Sequence, residues 1–559
     1  MVQGLPRAPQ RSQALTRMDL RLRCTPEHLR WVVGLIVLGA VQALAMAWPF
    51  AGDWQGQACG GLQFISMAGF ALVLLRCASA KQAFWAGWWF SSAWLVASIW
   101  WLYISMHHYG GLPAILAALA VFLLAAGLSL FYASASWAYH RLCALNDSIM
   151  QRALAFSSVW LLAELLRGTL WTGFPWAAGG YAHVDSMLRE WAPWVGVYGL
   201  SALSAGFAMW GAACWTQKGV TPLRWRDLGG WPGLLAIGVM GVTWVTSALH
   251  QPPLQAGPSK PALTVTLLQG NVPQDLKFGA GVSMALHDYQ EALLHNTADL
   301  IVTPETAVPL LPEFLPDGYW SNLQQRFAQG QQAALVGLPL RTRNGEGPLR
   351  YTNSALALLP GQANELYRYD KHHLVPFGEF VPPMFRWFVD LMHIPLGDFS
   401  RGAVSQPPLL WRGERIAPNV CYEDLFGEEL AQSFANPATS PTVLVNLSNI
   451  AWFGDTVAID QHLNISRMRT LELGRPMLRA TNTGATAIIN AQGVVTHRLP
   501  SGVQGALTAQ VQGVDGPPTP YARWVSVFGL WPLALCAAMV LGYVAWRTRT
   551  TRHAVGHKT

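Results

Sequence analysis

RIAPNVCYED (415–424) is a short apolar run that stops abruptly at Cys421, with Tyr422, Glu423 and Asp424 directly behind it. Two other stretches are built the same way. LIVTPETAVP (300–309) runs apolar and then reaches a carboxylate at Glu305, and YRYDKHHLVPFGEFVP (367–382) offers Lys371 and Glu379 among Pro, Gly and aromatic residues. Apolar runs of this length that break at Pro and Gly predict strands ending in turns. A thiol, a carboxylate and an ammonium, each just past a predicted strand, are the parts needed for acyl transfer through a thioester.

Further β-rich runs surround these three: LTVTLLQ, AALVGLPL, SALALL, PTVLVNLS and ATAIIN. Helix-like stretches such as VSMALHDYQEALLHN (282–296) and NISRMRTLEL (464–473) separate several of them. The alternation predicts stacked α/β layers. The Pro/Gly-rich segments QPPLQAGPSKP (251–261) and GVDGPPTP (513–520) bracket this region, which places a polar domain at about 257–515.

The rest of the chain has a different composition. Across all 559 residues 52% are hydrophobic, only 12% are charged, and 27 are Trp, which excludes an ordinary soluble protein. From Gln82 to His140 no Asp, Glu, Lys or Arg occurs. Seven spans are expected between 31 and 250: about Trp31–Pro49, Gly60–Leu75, Phe84–Met106, Leu112–Tyr139, Ala153–Leu170, Gly196–Trp215 and Trp231–Leu249. An eighth is expected over 524–546. Arginines crowd the leader (1–30) and the tail (547–559), so both ends are expected in the cytoplasm, and an even number of spans then exports the polar domain. The formal charge of +7 reads as this orientation signal and not as a nucleic-acid surface. No cleavable signal peptide is expected, because the first span follows the Arg-rich leader without a small-residue cleavage site. Of the seven cysteines only Cys421 falls in the polar domain, so no disulfide is expected within it.

The PET, KHHLVPFGE and VCYE segments resemble the carbon–nitrogen hydrolase (nitrilase) superfamily. LLQGNVPQDLKF (267–278), GDFSRG (397–402), NLSNIAWFGDT (446–456), RPMLRATNTGAT (475–486) and WLLAELLRGTLWTGFPW (160–176) resemble its apolipoprotein N-acyltransferase branch. The resemblance implies an αββα sandwich carrying a Glu305–Lys371–Cys421 triad. Cys421 would be the nucleophile, and Glu305 the base with its pKa raised by burial. Lys371, with the Tyr422 backbone N–H, would face the oxyanion. Glu379 and Glu423 are implied as additional acids that orient Lys371 or assist proton transfer. Phe278 stands where the family has a tryptophan that contacts the acyl chain, and Trp452 is a further substrate-binding candidate. His372 and His373 lack a matching ligand set and read as structural, and neither metal nor organic cofactor is needed. In the fifth span Glu164 and Arg167 share a helix face, either as an ion pair or as a contact to a phosphate headgroup.

The resemblance further implies a multi-pass enzyme of the bacterial inner membrane with its catalytic domain in the periplasm, expected to be a monomer. Its donor would be a phospholipid and its acceptor a diacylglyceryl apolipoprotein. A membrane-tethered amidase has the same triad, and a transporter with an inactive sensor domain has the same spans. Topology separates the first of these rivals from the lead. A reporter fused after Pro261 is expected to read as exported and one after Arg549 as cytoplasmic; a cytoplasmic signal from the first removes a lipid-anchored acceptor from reach.

Overall fold

The structure, a computed structural model, describes residues 26–143, 148–217, 261–277, 279, 281–343, 349–381 and 399–556. Most of the basic leader, the expected seventh span, the 251–260 linker, Phe278 and residues 557–559 lie outside the described residues. Six long helices form the first part: α1 (Pro26–Leu44), α2 (Gly60–Leu75), α3 (Ala80–Ile99), α4 (Ala114–Leu142), α5 (Ile149–Thr169) and α6 (Ala192–Gln217), the last broken by a kink at Gly196 (φ 65°). They lie where the first six spans were expected. Without a hydrophobic force between helices in lipid, close packing holds such a bundle together, and small residues permit it. Where α3 crosses α4, a Cβ on Gly87 would fall 2.9 Å from the Tyr132 carbonyl oxygen and against the Ser136 side chain. Phe70, Phe90, Trp94, Tyr132, Phe156 and Trp160 fill the centre, with Phe70 and Phe90 stacked at 4.2 Å.

On length and apolarity, four of the described helices qualify as membrane spans, or five if one bent pair counts as a single span. The expected count of eight is therefore not reached among the described residues. The helix α2 is apolar but has only 16 residues, and α3 has the length without the apolarity. The last span is also corrected: it is not one helix over 524–546. Gly529, at φ 57°, breaks it by 91° into a short helix at Pro520–Phe528 and a long one starting at Trp531.

The polar domain runs β1 (Leu263–Gln269), α7 (Val282–His295), β2 (Leu300–Val302), α8 (Tyr319–Gln329), β3 (Ala333–Arg343), β4 (Leu349–Leu359), β5 (Gln362–Asp370), β6 (Leu409–Trp411) and β7 (Glu414–Val420). It continues with β8 (Val443–Ser448), α9 (Ala458–Leu473), β9 (Met477–Thr481), β10 (Ala487–Ile489), β11 (Val495–Arg498) and β12 (Gly505–Val511). Two six-stranded sheets result, ordered β12-β1-β2-β3-β4-β5 and β11-β10-β9-β8-β7-β6. Each has a parallel centre, β1-β2-β3 in one and β7-β8-β9 in the other, with antiparallel strands outside. Val265, Val302, Leu335, Val445 and Leu447 fill the space between the sheets. The outer face of the first sheet is covered by α7 and α8 through Leu286, Leu293, Leu323 and Phe327. The outer face of the second belongs to α9, completing the expected αββα order of layers.

The helix α9 is not an ordinary outer layer. Every residue of it except Arg467 is buried, although its sequence is polar on several sides. The second contact surface is the helical bundle, and Ile459, Leu463 and Met468 join one apolar cluster with Phe70, Trp160 and Leu200. Polar groups then set the fit. Gln461 Oε1 accepts from Trp101 Nε1 (3.1 Å) and Trp176 Nε1 (2.8 Å), while its amide donates to the Ser98 carbonyl (3.1 Å). Asn464 donates to the carbonyls of Met46 (2.9 Å) and Gly56 (3.0 Å), and Arg467 pairs with Asp185. An unmade hydrogen bond at a buried polar group costs about 1–3 kcal/mol. Gln461→Leu, which strips the Trp176 indole N–H of its acceptor, is expected to lower stability by about that amount, read as a lower unfolding midpoint in detergent.

Candidate active site

Glu305, Lys371, Cys421 and Asn449 each follow directly or within three residues of a strand: β2, β5, β7 and β8 respectively. In a sheet sandwich with parallel centres, the carboxyl ends of the strands point to one edge, and a site is expected there. Two of the turns at this edge are strained. Cys421 sits at φ 53° and Thr306, next to Glu305, at φ 51°, a conformation that costs energy for a residue with a Cβ. The chain is forced close as well. A Cβ on Gly337 would collide with the Pro304 carbonyl oxygen, so only glycine lets β3 pass under the Glu305 turn.

The charged groups interlock. Lys371 Nζ donates to Glu305 Oε1 (3.2 Å) and to Glu379 (2.9 Å), and all three side chains are buried. Asn353 Nδ2 bridges the same two carboxylates at 2.8 and 2.7 Å. The second oxygen of Glu305 accepts the Asn449 backbone N–H (2.9 Å), and that of Glu379 accepts the Val375 N–H (2.8 Å). Ser448 Oγ donates toward Cys421 Sγ at 3.4 Å.

Burial pushes the Cys421 thiol up to about 12, reinforced by Glu305 and opposed by Lys371. Burial also pushes the Glu305 carboxyl up, but Lys371, then Lys277 and the Asn353 hydrogen bond, outweigh it and hold Glu305 below its ordinary value. The expectation of a raised Glu305 is thus corrected: two lysines, not one, face it. Lys371 is raised, since its two carboxylates overcome the burial that lowers it. The resting arrangement is a neutral Cys421 thiol in the field of an ionised Glu305 carboxylate.

Glu423 is the organiser of this edge. Its Oε1 accepts the N–H groups of His372 (2.6 Å) and His373 (3.2 Å), which follow Lys371, and its Oε2 accepts Val420 N–H (2.6 Å) and Tyr369 Oη–H (2.9 Å). One carboxylate therefore ties the lysine's turn to the cysteine's. Behind it, Arg479 donates to His462 Nδ1 (2.7 Å), so His462 Nε2 carries the hydrogen donated to Asp424 (2.9 Å). Tyr422 is buried, with its hydroxyl 3.4 Å from the Gly173 carbonyl of the helical part.

The remaining candidates fare differently. Trp452 is part-exposed at the rim, edge-on to Tyr109 at 5.8 Å. Glu164 and Arg167 pair at 3.2 Å with no solvent exposure. Arg167 also donates to the carbonyls of Phe174 and Trp176 (2.6 Å each) and to Tyr132 (2.8 Å), and Glu164 accepts Gly179 N–H (3.1 Å). Of the two alternatives read from the sequence, the geometry has the ion pair, and its remaining hydrogen bonds shape the 173–179 loop. The rings of His372 and His373 bond Gly402 O and Glu429, as structural histidines do. Asn353, Ser448, Asn449 and Lys277 were not singled out in sequence. Amides and hydroxyls in strands give no distinctive signal, although Lys277 lies in LLQGNVPQDLKF (267–278) and Ser448 and Asn449 in NLSNIAWFGDT (446–456).

Residues 42–210 match the family model of the apolipoprotein N-acyltransferase N-terminal domain, and residues 264–519 match that of carbon–nitrogen hydrolase. An apolipoprotein N-acyltransferase of Verminephrobacter eiseniae is 50% identical over 89% of this chain and 92% of its own. One from Ralstonia nicotianae is 45% identical over 90% and 92%. The chain belongs to the apolipoprotein N-acyltransferase family. Among solved structures, an amidase of the nitrilase superfamily from Nesterenkonia covers 47% of this chain and 94% of its own at 17% identity, with a TM-score of 0.34. Within this family membership, Glu423 offers a test of the site's geometry. In Glu423→Gln the amide NH2 must face two of the four N–H or O–H donors, and acyl-enzyme formation is expected to slow by roughly ten- to a hundredfold, followed by intact mass.

Proposed function

We propose that this membrane protein moves a fatty acyl chain from a phospholipid to the α-amino group of the N-terminal diacylglyceryl-cysteine of apolipoproteins, in two half-reactions through a Cys421 thioester. The observation that carries the reading is the meeting of a lone thiol, an ionised carboxylate and a buried ammonium at one sheet edge, in a chain of this family. In the first half-reaction Glu305 takes the Cys421 proton as sulfur attacks the ester carbonyl. The negative charge passes to the carbonyl oxygen, where Lys371 and the Tyr422 N–H stabilise it without moving. Collapse expels the lysophospholipid alkoxide, which receives the proton from Glu305. In the second, the acceptor amine attacks the thioester, Glu305 takes its proton, and the amide leaves as Cys421 recovers its hydrogen.

The fusion with a helical bundle supports lipid-borne substrates on both sides of the reaction, since sharing one leaflet raises their effective concentration. We place the catalytic domain in the periplasm, both termini in the cytoplasm, and the working unit as a monomer. Intact mass after phospholipid incubation should show one added acyl group. Cys421→Ser should show none, and Glu305→Gln should accumulate it at least about a hundredfold more slowly. An adduct on another cysteine would sink the assignment.

A further inference from the structure

The charges of the buried edge do not balance within the triad and its supporting glutamate. Glu305 and Glu379 bring two carboxylates, Lys371 brings one ammonium, and all three are buried. A buried charge without compensation is costly, and the proton transfer to Glu305 only moves the excess negative charge onto the substrate oxygen. The second cation comes from the loop after β1. Lys277 is buried, and its Nζ donates to the backbone carbonyl oxygen of Glu305 at 3.1 Å.

That loop is built to hold it. Asn482 takes the Val272 N–H on Oδ1 (3.0 Å) and returns Nδ2 to the Val272 carbonyl (2.8 Å). Gln274 accepts from Asn449 Nδ2 (3.1 Å), whose backbone N–H is the one on Glu305. The amides of the β1, β8 and β9 loops thus form one chain of contacts ending at the reacting carboxylate. Pro273 starts the turn that places Lys277, with its carbonyl accepting the Lys277 N–H at 3.0 Å.

Resting on the acyl-transfer reading above, we infer that Lys277 is a second active-site cation, a positioning residue whose charge keeps Glu305 ionised and offsets the oxyanion as the thioester forms. It keeps its proton throughout; the proton that moves runs from Cys421 to Glu305 and on to the leaving alkoxide. The groups that face it are Glu305 and Cys421, with Lys371 beyond Glu305, and Tyr289 of α7, which lines the same recess with Thr306 and Asn482. Burial raises the Tyr289 hydroxyl, so it is neutral near pH 8. Burial lowers Lys277 to about 8, with Glu305 and Cys421 opposing. The charge is therefore present below pH 8 and lost above it. Cys421 titrates far higher, at about 12, and Glu423 and Glu429 lower, at about 7.

The test is lysophospholipid release in the first turnover, by the full-length enzyme with a diacyl phospholipid in mixed micelles, without acceptor, between pH 6.5 and 9.5. The wild-type rate should fall on passing pH 8. Lys277→Arg, which keeps its charge, should hold its rate to higher pH whatever its magnitude. Lys277→Met should be slower by at least about tenfold at pH 7 and flat through pH 8. A wild-type rate without the fall, an arginine variant with an unchanged fall, or a methionine variant within about twofold of wild type at pH 7 would overturn the inference. No release by the wild type under any condition would instead overturn the acyl-transfer reading.

Discussion

A buried ammonium shared between two carboxylates is the constraint around which the catalytic half is arranged. Lys371 has almost no solvent contact and holds Glu305 and Glu379 at hydrogen-bond distance. Such a group survives burial only if every partner is in place, because the loss of one leaves an unpaired charge in a poorly solvating interior. Asn353 spanning both carboxylates and backbone N–H groups on their outer oxygens complete the set. The same network leaves the Glu305 carboxylate ionised while burial keeps the Cys421 thiol neutral, the starting condition that the proposed acyl transfer requires.

Rigidity of this edge depends on what lies behind it. The strained Cys421 turn is over-determined by Glu423 on one side and by Asp424, His462, Ser466 and Arg479 on the other. His462 and Ser466 belong to α9, and α9 is clamped between the second sheet and the helical bundle. The helical half therefore braces the scaffold of the Cys421 turn and is more than a tether. Tyr422, one residue from the thiol, reaches the 173–179 loop that Glu164 and Arg167 hold in shape. Backbone strain of this kind persists only where surrounding contacts leave no alternative.

Strong local signals made much of this readable in the chain. Short apolar, β-rich runs marked β1, β2, β3 and β8, and LTVTLLQ coincides with β1 over Leu263–Gln269. The α2 boundaries matched the expected Gly60–Leu75, because Gly60 opens and Arg76 closes an uncharged, mostly apolar run. Short strands β6 and β11 escaped, as three- or four-residue edges carry too little pattern. The break at Gly529 was missed because a helix-compatible apolar run conceals a single glycine with positive φ.

The sequence by itself determined the layer type and marked the carboxylate, ammonium and thiol that the fold brings to one edge, since hydrophobic pattern and residue chemistry are properties of short stretches. Tertiary structure alone decided which charge each group carries. Glu305 was expected to be raised by burial and is lowered instead, because Lys277 and Lys371 arrive from loops about 30 and 66 residues away in the chain. It also decided that Glu164 and Arg167 face protein, and that polar α9 lies buried except at Arg467. Coulombic and desolvation terms depend on distance in space, and no local pattern encodes that distance.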